Sequence, residues 1–240
     1  FLSGGIDSSA VVALMAQESS TRIKTFSVGF NEREYSELPH AKRMAEKYNT
    51  EHTEIVVNPD AEAILPQLVR HFGEPYADSS AVPTFYVSQE TRKHVTVALN
   101  GDGGDESFAG YERYRAMQLA EQLPQVALKL GAKAANFLPG STNFRSRSVR
   151  LKRMLNAAVL PRAQRYLNYV STFNPTQKDA LYSADFKAQT GFLRSHPLEN
   201  LLCEYSHLHA VDACLLTDVH TYLPDDLLPK VDITSMANSL

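Results

Sequence analysis

The first segment that could carry chemistry is a glycine-rich run close to the beginning of the sequence. Residues 3–9 read Ser-Gly-Gly-Ile-Asp-Ser-Ser and join an apolar stub, residues 1–2, to the apolar run 8–18. Glycines let a backbone turn tightly and approach a ligand without a Cβ in the way. Serines at a helix start, where unpaired N–H groups and the helix dipole attract negative charge, suit a phosphate. We therefore expect an anion-binding loop between a strand and a helix.

Asp7 is the residue of this loop that favours a nucleotide over a bare anion. A carboxylate among anion-binding groups makes sense when a divalent cation lies between it and the phosphates. The alternative, a glycine-rich turn that only caps a helix, leaves Asp7 unexplained. The kinase-type motif G-x-x-x-x-G-K-[ST] is absent, as is a full G-x-G-x-x-G. Without the lysine that would bind the β- and γ-phosphates, the loop suits a pyrophosphate group that leaves as a unit.

A second candidate segment, residues 100–111, combines glycines with acidic residues and follows the β-branched run 95–99. Three of the five residues 102–106 are acidic, an arrangement that is unfavourable in a simple turn and less so around Mg²⁺. The alternative is a flexible turn that caps a helix. Ligands of an open parallel sheet bind beyond the carboxyl ends of its strands, so both loops should face one crevice. We predict that Asp7 and Asp105 share a magnesium ion.

Alternating strand and helix patterns position these loops. Strands are expected at residues 1–2, 24–30, 52–57 and 95–99. Helices are expected at residues 8–18, 37–48, 61–72 and 80–93. Strands joined by helix-length segments imply right-handed crossovers and a parallel sheet with helices on both faces. The pattern predicts an α/β domain over residues 1–115, whose first strand is cut short.

After residue 115 the strand-like runs stop and helical spacing continues. Helical stretches are expected at residues 145–168, 178–187 and 199–216, with residues 139–143 as an internal loop. This pattern predicts a helical region over residues 116–240. Because the chain lacks an initiator Met and opens on what resembles the end of a strand, we expect it to be a piece of a longer protein.

The composition disfavours several classes of protein. The chain of 240 residues is 43% hydrophobic and 21% charged, which is typical of one large or two small globular domains. A formal net charge of −3 gives no overall attraction to nucleic acid or to anionic membranes. No apolar run approaches the ~18 residues of a membrane-spanning helix. Two cysteines cannot form a disulfide framework, which favours a reducing, cytoplasmic location.

A resemblance to a known family rests on five segments, which read SGGIDSS, TFSVGF, EPYADSSAVPTF, NGDGGDESFAGY and TYLPDDLLPKVDITSMANSL. Together they resemble the C-terminal synthetase domain of glutamine-dependent asparagine synthetases. That domain is an ATP pyrophosphatase (PP-loop) domain of the adenine nucleotide alpha-hydrolase type. The first segment alone is shared with GMP, NAD and argininosuccinate synthetases and with tRNA-thiolating enzymes. The acidic loop and the last segment are narrower signals.

The resemblance implies roles for particular residues. Those that would bind the pyrophosphate of ATP are Ser3, Gly4, Gly5, Asp7, Ser8 and Ser9. Those that would contact the rest of the nucleotide are Leu2 and Val28, at the adenine, and Asn100 and Gly101. Asp102 would be catalytic, constraining the intermediate or assisting ammonia attack, and Asp105 would be catalytic as the metal-binding acid. Those near the acceptor substrate would be Glu74, Asp78 and Ser79.

The implied reaction is asparagine synthesis with ATP and Mg²⁺. The aspartate side-chain carboxylate attacks the α-phosphorus, pyrophosphate leaves, and ammonia displaces AMP from β-aspartyl-AMP. In the family, an N-terminal glutaminase domain, which this chain would lack, supplies the ammonia from glutamine. A lysine that steadies the transition state lies beyond the position of Leu240, so we expect the isolated chain to be inactive. Asn100 replaces the family's usual Ser, and Ile233 stands where many relatives carry Lys or Arg.

Alternatives stay open at this point. One is an enzyme of the same family that forms another amide, or a β-lactam, from a different carboxylic acid. Another is a non-catalytic nucleotide-binding relative, which the intact acids Asp7, Asp102 and Asp105 disfavour.

A homodimer is one alternative for the oligomeric state. Zinc is disfavoured by the spacing of Cys203, His207, His209 and Cys214. RNA binding is less favoured than a solvated or interdomain helix face for the basic residues Arg145, Arg147, Arg150, Lys152 and Arg153.

Overall fold

A computed structural model of the chain describes residues 1–29, 37–57, 60–135, 137, 146–190 and 197–240. The strands are β1 (Lys24–Gly29) and β2 (Glu51–Val56). The helices in the first part of the chain are α1 (Ile6–Glu18), α2 (Leu38–Lys47), α3 (Ala61–Phe72), α4 (Ala81–Arg92), α5 (Gly104–Phe108), α6 (Glu112–Gln122) and α7 (Gln125–Ala135). Those that follow are α8 (Arg147–Ala158), α9 (Arg162–Val170), α10 (Pro175–Leu181), α11 (Ala184–Thr190), α12 (Pro197–Glu204), α13 (Ala210–His220) and α14 (Leu228–Met236).

The chain packs as two compact units. The first combines Phe1–Asp105 with Tyr222–Leu240, and the second is Glu106–Thr221. A 3₁₀ turn, Tyr205–His207, lies in the second unit, and a π-helical turn, Leu223–Leu227, precedes α14 in the first. Every regular element described in the second unit is a helix, as the spacing in this part of the sequence predicted.

The two strands of the first unit form a parallel pair, in which Lys24 lies opposite Glu51. Leu2 extends this arrangement on the other side of β1, because its N–H donates to the Phe26 carbonyl at 2.9 Å. The Ser27 hydroxyl donates to the Leu2 carbonyl in return. The predicted stub at residues 1–2 therefore lies beside β1, although it is too short to form a regular strand.

Helices cover both faces of the strand pair. Side chains alternate between the faces of a strand, so Gly29 and Phe26 point in opposite directions. A Cβ at Gly29 would lie 2.4 Å from Cδ1 of Leu38, the first residue of α2. On the other face, the Phe26 ring lies 5.5 Å from the ring of His94, two residues beyond α4. The predicted α/β class, a parallel sheet with helices on both faces, is confirmed.

The predicted strand at residues 95–99 is wrong, because this segment has no regular strand structure. A strand needs a ladder of backbone partners, whereas the backbone bonds described here are a helix-end bond from the Val95 N–H to the Thr91 carbonyl and one from the Phe1 nitrogen to the Leu99 carbonyl. Val97 and Leu99 are 75% and 53% exposed, so they do not pack in a sheet. The prediction rests on the apolar and β-branched composition of the segment alone. Phe30, the predicted end of β1, and the predicted loop 139–143 lie outside the described residues.

Two apolar clusters stabilise the first unit. One packs α1 against α2 through the buried side chains of Leu2, Val12, Ala41 and Ala45. The other joins α3 and α4 through Ile64, Leu68, Ala81 and Phe85. Helix α14 packs against α4 and α3, with Ala237 against the second cluster. This packing brings the last helix of the chain beside the start of α4, where the site described below lies.

A buried carboxylate lies in the interior of the second unit. Asp218 is 1% exposed, and its Oδ2 accepts hydrogen bonds from Arg113 Nη2 at 2.7 Å and from the hydroxyls of Tyr114 and Tyr166, each at 2.5 Å. The Arg113 guanidinium also lies 3.6 Å from the ring centre of Tyr111. Burial and the neighbouring carboxylate raise the pKa of both Tyr114 and Tyr166 well above the usual value. A buried charge is tolerated when it is paired and hydrogen-bonded in this way.

Over the parts of the chain that the structure describes, none of the helices has both the length and the apolar character that crossing a membrane requires.

Candidate active site

One cavity of the first unit, about 380 Å³ in volume, collects most of the residues that the sequence singled out. Those among its lining are Leu2, Ser3, Gly5, Asp7, Ser8, Val28, Asn100, Gly101, Asp102 and Asp105. Two predicted loop residues, Gly4 and Ser9, are outside the lining. The two loops therefore share one cavity, as expected from the position of ligands in parallel sheets.

The first loop leads directly into α1, whose first turn has no side-chain cap. Gly5 is the residue before the helix, and the hydroxyls of Ser3 and Ser8 lie 2.9 Å apart. Gly4 has a φ of +84°, and a Cβ there would lie 2.5 Å from the backbone of His40. A residue other than glycine would be strained at that position. The loop thus leaves backbone N–H groups at the start of a 13-residue helix available to an anion.

The acidic loop packs directly against the first loop. A Cβ at Gly104 would lie 2.5 Å from Cγ of Asp7, and one at Gly101 would lie 2.7 Å from the Ser8 nitrogen. Only glycine leaves room for so close an approach of the two backbones. Asp105 follows Gly104 directly, and both Asp7 and Asp105 line the cavity.

Asn100 orients the carboxylate of Asp102. Its Nδ2 donates to Asp102 Oδ2 at 2.8 Å, and its Oδ1 accepts from the Asp102 backbone nitrogen at 3.3 Å. The Asn that departs from the family's usual Ser therefore has a defined structural role in this chain. Asp102 itself is exposed to solvent at the cavity.

Leu2 and Val28, the two residues expected at the adenine, differ in their burial and in their backbone contacts. Leu2 is 1% exposed, and its N–H and carbonyl already contact Phe26 and Ser27 of β1. Val28 is half-buried and lies opposite Ile55 in the strand pair. Both line the cavity, and their contact with a base stays a prediction.

Lys230 is a residue of this cavity that the sequence did not single out. Its Nζ donates to Asp78 Oδ2 and to Ser80 Oγ, each at 2.8 Å. Burial alone would raise the pKa of the Asp78 carboxyl, but the hydrogen bonds from Lys230 and Ser80 outweigh it and hold that pKa below its usual value. Lys230 belongs to the last of the five family-like segments, yet nothing local to that segment indicates its distant partner.

Other predicted residues lie elsewhere. None of the three residues expected near the substrate, Glu74, Asp78 and Ser79, is part of the cavity lining, and Asp78 is linked to it through its contact with Lys230. In the second unit, Cys203 is exposed and Cys214 is buried. Within the described residues, no group of three or more His, Cys, Asp or Glu residues is placed to hold a metal ion on its own.

Two residues of the basic stretch contact groups of the second unit. Arg150 pairs with Glu112, and Arg153 donates to the carbonyls of Asn168, Tyr169 and Ser171 at the end of α9. Arg150 and Arg153 are both exposed, as the side chains of a solvated helix face would be. Arg145 and the side chain of Arg147 lie outside the described residues.

Comparison with known proteins decides the family. The family model described as asparagine synthase matches residues 1–240, the whole chain. The chain belongs to the asparagine synthase family. The glutamine-hydrolysing asparagine synthetase 1 of Bacillus subtilis strain 168 is 34% identical over 247 residues, which cover 100% of this chain and 37% of that protein. A putative glutamine-hydrolysing asparagine synthetase of Mycobacterium tuberculosis strain H37Rv is 33% identical over 244 residues, or 100% of this chain and 36% of the relative.

A relative with a different name also matches part of this chain. The amidase chyE of Penicillium rubens is 31% identical over 167 residues, which cover 57% of this chain and 25% of that protein. The chain spans little more than a third of the length of the bacterial relatives that it matches throughout.

Proposed function

We propose that this chain is the synthetase domain of an enzyme that makes asparagine from aspartate, ATP and ammonia. The observation that carries the proposal is the packing of Gly104 against Asp7, which joins the serine-glycine loop and the acidic loop in one cavity. Membership of the asparagine synthase family supplies the reaction class. The names of the relatives support glutamine as the source of ammonia, through a glutaminase domain of the parent protein.

The first loop has the donors that the pyrophosphate half of ATP needs. The uncapped N–H groups at the start of α1 and the hydroxyls of Ser3 and Ser8 lie at the cavity. Oriented backbone donors at a helix start bind phosphate without a lysine. As pyrophosphate separates, these donors would stabilise the negative charge that develops on it.

Asp7 and Asp105 are the side chains that would hold Mg²⁺. Protein sites for Mg²⁺ commonly supply one or two carboxylates and leave the remaining positions to phosphate oxygens and water, so these two acids suit the ion. When bound, Mg²⁺ would neutralise phosphate charge during the attack of a carboxylate on the α-phosphorus. Asp7 lies in the first turn of α1 and Asp105 in α5, so these two helices would supply the carboxylates for the ion.

Asp102 would act in the second half of the reaction. Its carboxylate, oriented by Asn100, lies at the same cavity as the metal-binding acids. In β-aspartyl-AMP the acyl carbon is activated, and ammonia displaces AMP from it. A positioned carboxylate would accept a proton from the attacking ammonia, which is a general-base role.

A second candidate is amide formation on a carboxylic acid other than aspartate. The similarity to the amidase chyE favours keeping this candidate, because that relative, which has a different name, is 31% identical over a stretch that covers 57% of this chain. A non-catalytic nucleotide-binding role is a weaker candidate, since the acids of the cavity are intact.

The test uses the complete parent protein with Mg-ATP, ammonium and aspartate, and identifies the adenine nucleotide that is released. Aspartate-dependent AMP and pyrophosphate, with asparagine as the product, are expected. AMP formation that requires another acid would support the second candidate. Release of ADP would contradict attack at the α-phosphorus and therefore both candidates. Omission of aspartate is the matched control.

A further inference from the structure

The cavity of the first unit has a strongly negative lining. Its acidic residues are Asp7, Glu37, Asp102 and Asp105. Among the described residues that line it, Lys230 carries the one cationic side chain. A carboxylic acid entering this cavity would add another negative charge, and like charges repel strongly at short range where water is scarce. The acid therefore needs a cationic contact of its own, apart from the metal that the phosphates share.

Lys230 is fixed where such a contact is needed. The residue is 7% exposed, and its Nζ lies 2.8 Å from Asp78 Oδ2 and 2.8 Å from Ser80 Oγ. An ammonium group has three N–H donors. The two contacts use two of them, so the third is available to a ligand in the cavity that Lys230 lines. A buried ammonium that is already oriented loses little further freedom when it binds.

Asp78 holds the Lys230 ammonium in place. It does not line the cavity itself. Its Oδ1 accepts from the Ser80 backbone nitrogen at 2.8 Å, and its Oδ2 accepts from the Ser80 hydroxyl at 2.7 Å. These local bonds, at the residue before α4, hold the carboxylate that in turn holds Lys230.

We propose that Lys230 binds a carboxylate group of the acceptor acid and that Asp78 is a positioning residue for Lys230. The inference rests on the function proposed above. The phosphates have donors at the start of α1, whereas Lys230 lies on the wall formed by α14 and by Ser80 at the start of α4. An ion pair with the acid lowers its repulsion from the four carboxylates and holds it for attack.

Steady-state kinetics of the complete parent protein test the assignment. Aspartate is varied at fixed Mg-ATP, and Mg-ATP is varied at fixed aspartate, with AMP as the readout. Lys230→Met should raise the KM for aspartate roughly 10- to 100-fold, because it removes one hydrogen bond to a charged group. The KM for ATP should change less than about threefold. Lys230→Arg, which keeps the charge, should recover part of the affinity for aspartate.

Two further variants separate a lost contact from a damaged fold. Lys230→Met leaves Asp78 without its cation, so the double variant with Asp78→Asn removes both charges together. That double variant should keep the thermal midpoint close to that of the parent and still show the raised KM for aspartate. Asp78→Asn alone should raise the KM for aspartate several-fold with little change in the KM for ATP, because Lys230 loses its support but stays in the cavity.

The outcomes are distinguishable. An unchanged KM for aspartate in a folded Lys230→Met protein would overturn the assignment of Lys230. An equal rise in the KM for ATP would also overturn it, because the ammonium would then bind phosphate. If the unsubstituted parent forms no acid-dependent AMP, the proposed function itself fails, and with it this inference, before any variant is compared.

Discussion

The backbone of Gly104 lies against the side chain of Asp7, so closely that a Cβ at position 104 would come within 2.5 Å of Cγ and 2.6 Å of Oδ1. Separations of this size are far below van der Waals contact, so any larger residue must displace the carboxylate or the acidic loop. The relative position of the two acids proposed to hold the metal ion therefore requires that residue 104 has no Cβ.

Gly104→Ala should lower the rate of acid-dependent AMP formation by the complete protein on the order of 10²-fold, because small displacements of reacting groups have large effects on rate. Circular dichroism should show an unchanged helical content. Gly73→Ala is the matched control, since Gly73 has a φ of +70° but nothing within 4 Å of a Cβ. It should cost about 1 kcal/mol of stability and leave the activity of the folded enzyme intact. Equal activities of the two variants would contradict the close approach.

Asp105→Asn should lower the rate of AMP formation by a factor on the order of 10² or more and increase the Mg²⁺ concentration needed for half-maximal rate. The change removes a charge at the cavity while keeping the size of the side chain. Asp185→Asn, in an exposed part of α11, should leave both quantities unchanged. A normal rate and Mg²⁺ dependence in Asp105→Asn would show that the metal assignment is wrong.

Asp218→Asn should destabilise the second unit by about 3 kcal/mol, because it leaves Arg113 and two tyrosine hydroxyls without their shared acceptor charge. Hydrogen exchange of the amides of α6 and α13, followed in urea, measures the effect on this unit. Asp179→Asn breaks an ion pair with Lys187 in which Asp179 is 71% exposed, and should change stability by less than about 1 kcal/mol. Similar effects of the two substitutions would argue that the buried network contributes little.

The Asp78–Lys230 pair should make stability depend on pH in the acid range. The folded-state pKa of Asp78 lies below its ordinary value of 3.8, so the pair stabilises the protein above that pH and the stabilisation is lost as the pH falls through the folded pKa. Urea midpoints of the parent and of Asp78→Asn should therefore differ at pH 7, begin to converge as the pH falls below about 3.8, and meet below the folded pKa of Asp78. A gap that stays constant down to pH 2.5 would contradict the lowered pKa.

The two cysteines should differ in reactivity. Burial, reinforced by the charge of Asp218, raises the pKa of the Cys214 thiol to about 12, whereas Cys203 is exposed. Iodoacetamide should therefore label Cys203 in the native protein and Cys214 only after unfolding, because the thiolate is the reacting species. Peptide mapping by mass spectrometry reads both sites, and Cys203→Ser should not accelerate labelling of Cys214. Rapid native labelling of Cys214 would show that its helix opens readily.

The fold class and the two loops could be predicted because their signals are local. The glycines and serines around Asp7, and the acids after residue 100, are adjacent in sequence and imply one sheet edge. The prediction of a strand at residues 95–99 was wrong, since β-branched composition says nothing about whether a backbone partner is present.

Two other features could not be predicted because they depend on distant partners. Lys230 and Asp78 are 152 residues apart, and only the packing of α14 beside α4 brings them together. Asp218 lies in an apolar helix. Its partners include Arg113 of α6 and Tyr166 of α9, which are 105 and 52 residues earlier in the chain. Neither pairing has a short-range pattern.

The division of the first unit into two stretches, Phe1–Asp105 and Tyr222–Leu240, has a consequence for biosynthesis. A ribosome translates the whole of Glu106–Thr221 after Asp78 has been made and before it reaches Lys230. At the usual 5–20 residues per second, the interval of 152 residues takes roughly 8–30 s. During that time the nascent Asp78 carboxylate stays without its ammonium partner, and the cavity wall that includes Lys230 is completed only when translation supplies α14.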